Sequence, residues 1–310
     1  MSSVEDRVVL EELLQQSRAY SAKGKVADYI PELAKRAPNS LGITVHRIDR
    51  EPVSAGDCGT SFTLQSISKV FSLILALMDQ GEERIFNKVG MEPTGDNFNS
   101  MVKLELVNPG KPFNPMINAG AIAISSMIAG KTPDERFARL LAFIRTMAGD
   151  DTIAVNSNVY ESEAATADRN RSLAYFLKHN QVLEGSVEDH LEVYFKHCSI
   201  EVTCRHIARM AMILANNGVD PESGQKLIPR RYVQIAKVFM ITCGMYNASG
   251  EFAIQVGIPA KSGVSGGILA VVPGQMGIGV IGPALSEKGN SVAGVQLLQS
   301  LSARWDLSIF

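Results

Sequence analysis

Strand-like sequence sits at the two ends of this chain and helical sequence fills the middle, which limits the folds open to it. Near the start, GITVHRI (residues 42–48) alternates as a strand, a turn follows from Asp49 to Pro52, and Pro52 to Gly56 reads as a second strand. Near the end, Phe252 to Gly257, Gly267 to Pro273 and Met276 to Pro283 are rich in β-branched residues and separated by glycine-bearing turns, the pattern of consecutive antiparallel strands. A two-stranded hairpin is barely stable alone in water, so terminal strands flanking a helical insertion are expected to share one sheet. The expected architecture is α+β, one antiparallel sheet from the N- and C-terminal strands plus a largely helical lobe.

Helical punctuation supports this. An amphipathic helix carries Val9, Leu10, Leu13 and Leu14 on one face, and Ser61 to Leu64 leads directly into a helix running to about Gln80. Thr132-Pro133-Asp134-Glu135 supplies an N-cap, a proline at the first helical position and a glutamate at the third, ahead of Phe137, Leu140, Leu141 and Ile144. Another helix is expected from Ser199 to Asn216, stopped by Gly218, and a closing one from Ser291 to Trp305. With no repeat, low-complexity run or linker, the 310 residues read as one domain, its sheet lobe about 1–65 and 251–310 and its helical lobe about 66–250.

A net charge of −2 without any Lys/Arg block argues against nucleic acid or an anionic membrane as partner. The longest apolar stretch, Val70 to Met78, is about half of the roughly 20 residues a spanning helix needs. The N-terminus lacks a positive region followed by an apolar one, so a cytoplasmic protein is expected. Cys58, Cys198, Cys204 and Cys243 form no C-x-x-C pair and are expected to be buried thiols; His197 and His206 lie near two of them at no metal-ligand spacing.

The chemistry centres on Ser66-Ile67-Ser68-Lys69, an S-x-x-K element. Three residues apart on a helix, the Ser66 hydroxyl and the Lys69 amine share a face, and a neutral lysine can take the serine proton. The helix N-terminus adds N–H dipoles for an oxyanion. Neutrality is demanding, because at an ordinary pKa only roughly one lysine in 2,500 is deprotonated at pH 7, a penalty of about 4.6 kcal/mol. Burial or a neighbouring cation must lower it; Val70, Phe71, Leu73, Ile74 and Leu77 offer burial, and Lys261-Ser262-Gly263, on the edge of the C-terminal sheet, offers a second lysine that could modulate the first. S-x-x-K alone is weakly specific, but with a later K-[ST]-G it is the signature of the penicillin-recognising serine enzymes, although their S-D-N element is absent.

Seven segments in order resemble the bacterial glutaminase family: GKVADYIP (24–31), QSISK (65–69), NPMINAGA (114–121), Ser162-Glu163 through Asp168-Arg169-Asn170, Tyr194 through Val202, CGMY (243–246) and PAKSGVSGG (259–267). That resemblance spans nearly the whole chain and implies a serine β-lactamase-like fold and hydrolysis of L-glutamine to L-glutamate and ammonia, with no cofactor and a homotetrameric assembly. It implies Ser66 as nucleophile, Lys69 as general base, Tyr29 beside the nucleophile, and substrate contacts at Asn118, Glu163, Asn170, Tyr194, Tyr246 and the Val264 backbone. The chemistry of glutamine agrees. Glu163 suits its ammonium, Asn118 and Asn170 its carboxylate, the Ser66 and Val264 N–H groups an oxyanion, and Tyr246 a proton relay to departing ammonia. Taken singly, the asparagines also fit helix caps, the tyrosines core aromatics and Glu163 a solvated loop. An amidase of the penicillin-recognising group with another substrate, or a silent amino-acid-binding module, remains open on the sequence alone.

Overall fold

A computed structural model describes residues 3–94 and 110–310; the part of the helical span from 95 to 109 lies outside the described residues. A five-stranded antiparallel sheet has the order β2-β1-β7-β6-β5, from β1 (Gly42–Arg47), β2 (Val53–Gly56), β5 (Ala260–Ser262), β6 (Gly267–Val272) and β7 (Met276–Ile281). A two-stranded pairing joins β3 (Phe62–Thr63) to β4 (Glu201–Val202). Strands from both ends of the chain thus share one sheet, with β1 paired to β7 over six residues from Gly42↔Ile281 to Arg47↔Met276.

The described helices are α1 (Ser3–Arg18), α2 (Ser68–Lys88), α3 (Asn118–Ser126), α4 (Pro133–Ala148), α5 (Ser157–Ala165), α6 (Asp168–His179), α7 (Val187–Cys198), α8 (Cys204–Ala215), α9 (Arg230–Cys243), α10 (Ser249–Gln255) and α11 (Val292–Trp305). Both faces of the sheet are covered. On β6, Ile268, Ala270 and Val272 point into an apolar cluster shared with α1 and α11, whereas Leu269 and Val271 join the core of the helical lobe. Arg47 ties the outer layer together, donating to the buried Asp6 carboxylate at 3.0 Å while its guanidinium lies 4.9 Å from the centre of the Trp305 ring.

The inner face meets α8 at unusually close range. A Cβ on Gly277 would lie 2.1 Å from Met212 N, and one on Gly279 would lie 2.3 Å from Cys204 O, so the strand carries glycines where a helix backbone rests on it. Core helix α2 is buried on all sides from Ser68 to Leu77 and bends at Gly81. The Thr132 cap forms as expected, its hydroxyl accepting from Glu135 N at 3.2 Å while the Glu135 carboxylate accepts from Lys131 N at 2.7 Å.

One expected strand is a helix. Residues 252–257 lie largely in α10, where Phe252 and Val256, four apart, are 4% and 1% exposed while Ile254 is 89% exposed, a helical rather than an alternating division. The strand that fills the sheet edge is β5, only three residues long and so too short to display a period. It places Lys261 opposite Leu269 on the helical-lobe face, with Ala260 opposite Ala270 on the other. The helix expected from Ser199 starts instead at Cys204, because Glu201 and Val202 pair with β3 before Thr203 caps it. Cys198 and Cys204 are buried, but Cys58 and Cys243 are only partly so, and all four are free thiols. Among the described residues no helix is long and apolar enough to cross a membrane.

Because the contact between α8 and β7 is backbone against backbone, Gly279→Ala is expected to destabilise the protein by about 1–3 kcal/mol. A denaturant midpoint equal to wild type would show that the helix sits less tightly than described.

Candidate active site

The turn that carries Ser66 is made before α2 begins. Residues Gln65–Ile67 form a single 3-10 turn, with Gln65 in the left-handed region at φ 47°. A non-glycine residue there is strained and needs its surroundings to hold it. From the far end of the sequence, Gly263 closes on this turn, since a Cβ there would sit 2.7 Å from Leu64 O and 3.3 Å from Gln65 Cβ. Residues 261–264 and Ser66, nearly 200 positions apart in sequence, are therefore neighbours in space.

A cavity of about 340 Å³ opens over Ser66. Of the residues singled out from the sequence, Ser66, Tyr29, Asn118, Glu163, Asn170, Tyr194 and Val264 line it. Lys69, Lys261 and Tyr246 are not part of this lining, and Tyr246 lines a separate cavity with Met116 and Cys243. Lys69 is fully buried, and its Nζ donates to Asn118 Oδ1 at 2.7 Å and Met116 O at 3.3 Å, while Asn118 Nδ2 donates to Asn170 Oδ1 at 2.9 Å. Asn118 thus spans the lysine and the cavity and is no helix cap.

Burial drives Lys69 down to about 8, partly countered by Cys198 and Glu163. It holds Glu163 up at about 7 against the hydrogen bond from Gln65 and the charge of Lys69. Lys261 is also fully buried and is pushed well below the ordinary lysine range, by desolvation first and by Lys69 second. Its amine donates to Ser262 O at 2.6 Å and lies 4.4 Å from the centre of the Tyr246 ring. The Tyr246 hydroxyl donates to Ser262 O at 3.3 Å and is hydrogen bonded to Ser66. Burial pushes this phenol up to about 12, so it stays protonated and can serve as a donor. Among the described residues, the backbone N–H groups of Ser66 and Val264 have no protein acceptor.

Gln65, Thr166, Ala167, Arg169 and Cys198 also line the cavity and were not singled out as site residues. Gln65 could have been found, since it opens the QSISK segment; its Nε2 donates to Glu163 Oε2 at 3.3 Å. Cys198 was read only as a buried thiol, and nothing in its neighbours in sequence reports the cavity beside it.

The sheet with its helical inner layer is the serine β-lactamase-like architecture, and the chain matches the family model described as Glutaminase over residues 24–310. A glutaminase from Alkaliphilus oremlandii is 56% identical over 304 residues, covering 98% of this chain and 100% of that one. The crystal structure of a probable glutaminase from Bacillus subtilis superimposes with a TM-score of 0.93 at 44% identity, covering 99% of this chain and 98% of that one. A further Bacillus subtilis glutaminase structure, a covalent complex with 5-oxo-L-norleucine formed by reaction with 6-diazo-5-oxo-L-norleucine, matches with a TM-score of 0.89 at 42% identity over 98% of this chain and 100% of that one. The chain belongs to the glutaminase family of amidohydrolases.

Since the Glu163 charge supports the Lys69 ammonium, Glu163→Gln is expected to move the lysine pKa below its value of about 8. NMR titration of the Lys69 side chain checks this; an upward shift would mean that the two groups are not coupled as described.

Proposed function

We propose that this enzyme hydrolyses the side-chain amide of L-glutamine to L-glutamate and ammonia through an ester on Ser66, with Lys69 as general base. The observation that carries this is a serine at the floor of a cavity with a buried, readily neutralised amine one helical turn away. Relative to an ordinary lysine, the lowered value raises the neutral fraction at pH 7 from roughly one in 2,500 to about one in ten, easing proton removal by about 3 kcal/mol. The covalent reaction of the Bacillus subtilis relative with a diazoketone supports the substrate assignment, because the C5 ketone of norleucine stands where glutamine carries its amide carbonyl.

In this mechanism the two N–H groups of neutral Lys69 are engaged by Asn118 Oδ1 and Met116 O, leaving its lone pair for the Ser66 proton. Ser66 Oγ attacks the amide carbon, Lys69 becomes an ammonium, and the oxyanion is held by the Ser66 and Val264 N–H groups. The carbon–nitrogen bond breaks as the leaving nitrogen receives a proton, donated by Tyr246 and replaced from Lys69, and ammonia departs. Water then attacks the ester, giving its proton to Lys69; Ser66 Oγ is reprotonated as glutamate leaves. Glu163 takes the substrate ammonium, Asn118 and Asn170 its carboxylate, and Tyr29 and Tyr194 wall the site. Family resemblance supports a single catalytic domain that acts without a cofactor, as a cytoplasmic homotetramer.

Ser66→Ala and Lys69→Ala are each expected to lose several orders of magnitude in ammonia release from glutamine, and undiminished turnover in Ser66→Ala would remove the mechanism. A second expectation concerns pH. Glu163 must be ionised to bind an ammonium and Lys69 neutral to act as base, so kcat/KM is expected to rise with pH through about 7 to 8. In Glu163→Gln the KM is expected to rise and the lower of the two titrations to disappear. A profile flat between pH 6 and 9 would contradict both assignments.

A further inference from the structure

Behind the nucleophile, away from the cavity, Ser68, His197 and Ser125 form a chain of hydrogen bonds in which all three residues are fully buried. His197 Nδ1 lies 2.7 Å from Ser68 Oγ and its Nε2 lies 2.9 Å from Ser125 Oγ. Each serine also reaches a carbonyl, Ser68 that of Gln65 at 2.6 Å and Ser125 that of Ala121 at 2.8 Å. Tyr194 packs edge-on against the imidazole, with ring centres 5.2 Å apart.

Counting protons fixes the direction of the chain. A carbonyl only accepts, so if both serines donated to their carbonyls, both ring nitrogens would have to donate, which requires an imidazolium. Burial and the nearby Lys69 hold His197 down at about 3, so the ring is neutral and carries one N–H. One serine must then donate to the ring instead of to its carbonyl. Both carbonyls also take a backbone N–H, Ala121 O in the ladder of α3 and Gln65 O from Ser68, so the choice falls on contact length and on backbone strain. Gln65 O makes the shorter contact and belongs to the strained residue. The consistent order is Ser125 hydroxyl to Nε2, Nδ1–H to Ser68 Oγ, and Ser68 hydroxyl to Gln65 O.

The Gln65 carbonyl and the Ser66 N–H belong to the same peptide group, and in a trans peptide they point in opposite directions. Holding the carbonyl inward turns the N–H outward. We propose that His197 is a positioning residue for the reaction: through Ser68 it anchors the Gln65 carbonyl and so aims the Ser66 N–H into the cavity to meet the oxyanion. This rests on Ser66 being the nucleophile. The bond to the carbonyl also polarises the peptide, making the N–H a stronger donor.

The test uses Ser68→Ala, His197→Leu, His197→Asn, and the double variant Ser68→Ala/His197→Leu, with glutamine as substrate. Expected are falls in kcat of about tenfold or more for Ser68→Ala and His197→Leu, with KM within about threefold, since leucine keeps an apolar surface against Tyr194, and with the pH midpoint of kcat/KM unmoved, since a neutral imidazole puts no charge beside Lys69. His197→Asn, which keeps a side-chain N–H near the Nδ1 position, is expected to recover part of the loss. The double variant is expected to resemble the singles, because both break one chain. Folded Ser68→Ala and His197→Leu proteins with wild-type kcat would overturn the proposal, as would additive losses. Should the variants fail to fold, nitrogen-15 NMR of histidine-labelled wild type decides: a neutral His197 protonated at Nδ1 is expected, and one protonated at Nε2 overturns the assignment. Loss of the mechanism itself would appear separately, as undiminished turnover in Ser66→Ala.

Discussion

Withholding water from two lysine amines is the constraint on which the rest of this structure depends. Lys69 and Lys261 are among the largest fully buried side chains of the described molecule, and among the described residues neither forms an ion pair with a carboxylate. Hydration is the main support of an ammonium, and without it or a paired anion the free base becomes accessible near neutral pH. The apolar run of α2 supplies the dry surroundings for one amine, and the meeting of β5 with the helical lobe supplies them for the other. The polar groups that remain near Lys69, the oxygens of Asn118 and Met116, orient the amine without adding a formal charge.

Keeping the two lysines together with Ser66 is the work of the sheet. The N-terminal strands lead through β3 into the Ser66 turn, and the C-terminal strands return Lys261 and Val264 to the same place. Gly263 permits the final approach because any side chain there would strike the Leu64 carbonyl. The helical lobe then closes the cavity with Asn118 from α3, Glu163 from α5, Asn170 from α6 and Tyr194 from α7. Cavity-lining groups come from four helices of one lobe and Ser66 from its junction with the sheet, so neither part makes the site alone.

Much of this was legible in the sequence where a physical signal is local. The Thr132 cap, the alternation of residues 42–47 and 267–272, and the apolar run after Lys69 each report their environment within a few residues. The signal failed where periods compete: in residues 252–257 β-branched content suggested a strand, and only the burial of Phe252 and Val256 against the exposure of Ile254 reveals the helix. The cavity residues were placed by ordered resemblance rather than by pattern. Gln65 and Cys198 escaped because a bond to Glu163 and a place in the cavity lining are properties of the assembled lobes, and the left-handed turn at Gln65 bears no glycine to announce it.

The brevity of β5 has a consequence for the fidelity of folding. Its side chains alternate between faces, so sliding it by one position along β6 would deliver Lys261 to the outer apolar layer and leave a small residue facing the helical lobe. Three paired residues hold few hydrogen bonds against such slippage, and the outer rim of the strand is accordingly clasped: Ser262 N donates to Gly244 O at 3.2 Å, and Gly244 is pressed so closely on Ala260 that a Cβ would sit 1.8 Å from its carbonyl oxygen. The loop after α9 thereby acts as a pawl on a short ladder, fixing which way the amine points and shielding the rim from pairing with a foreign strand.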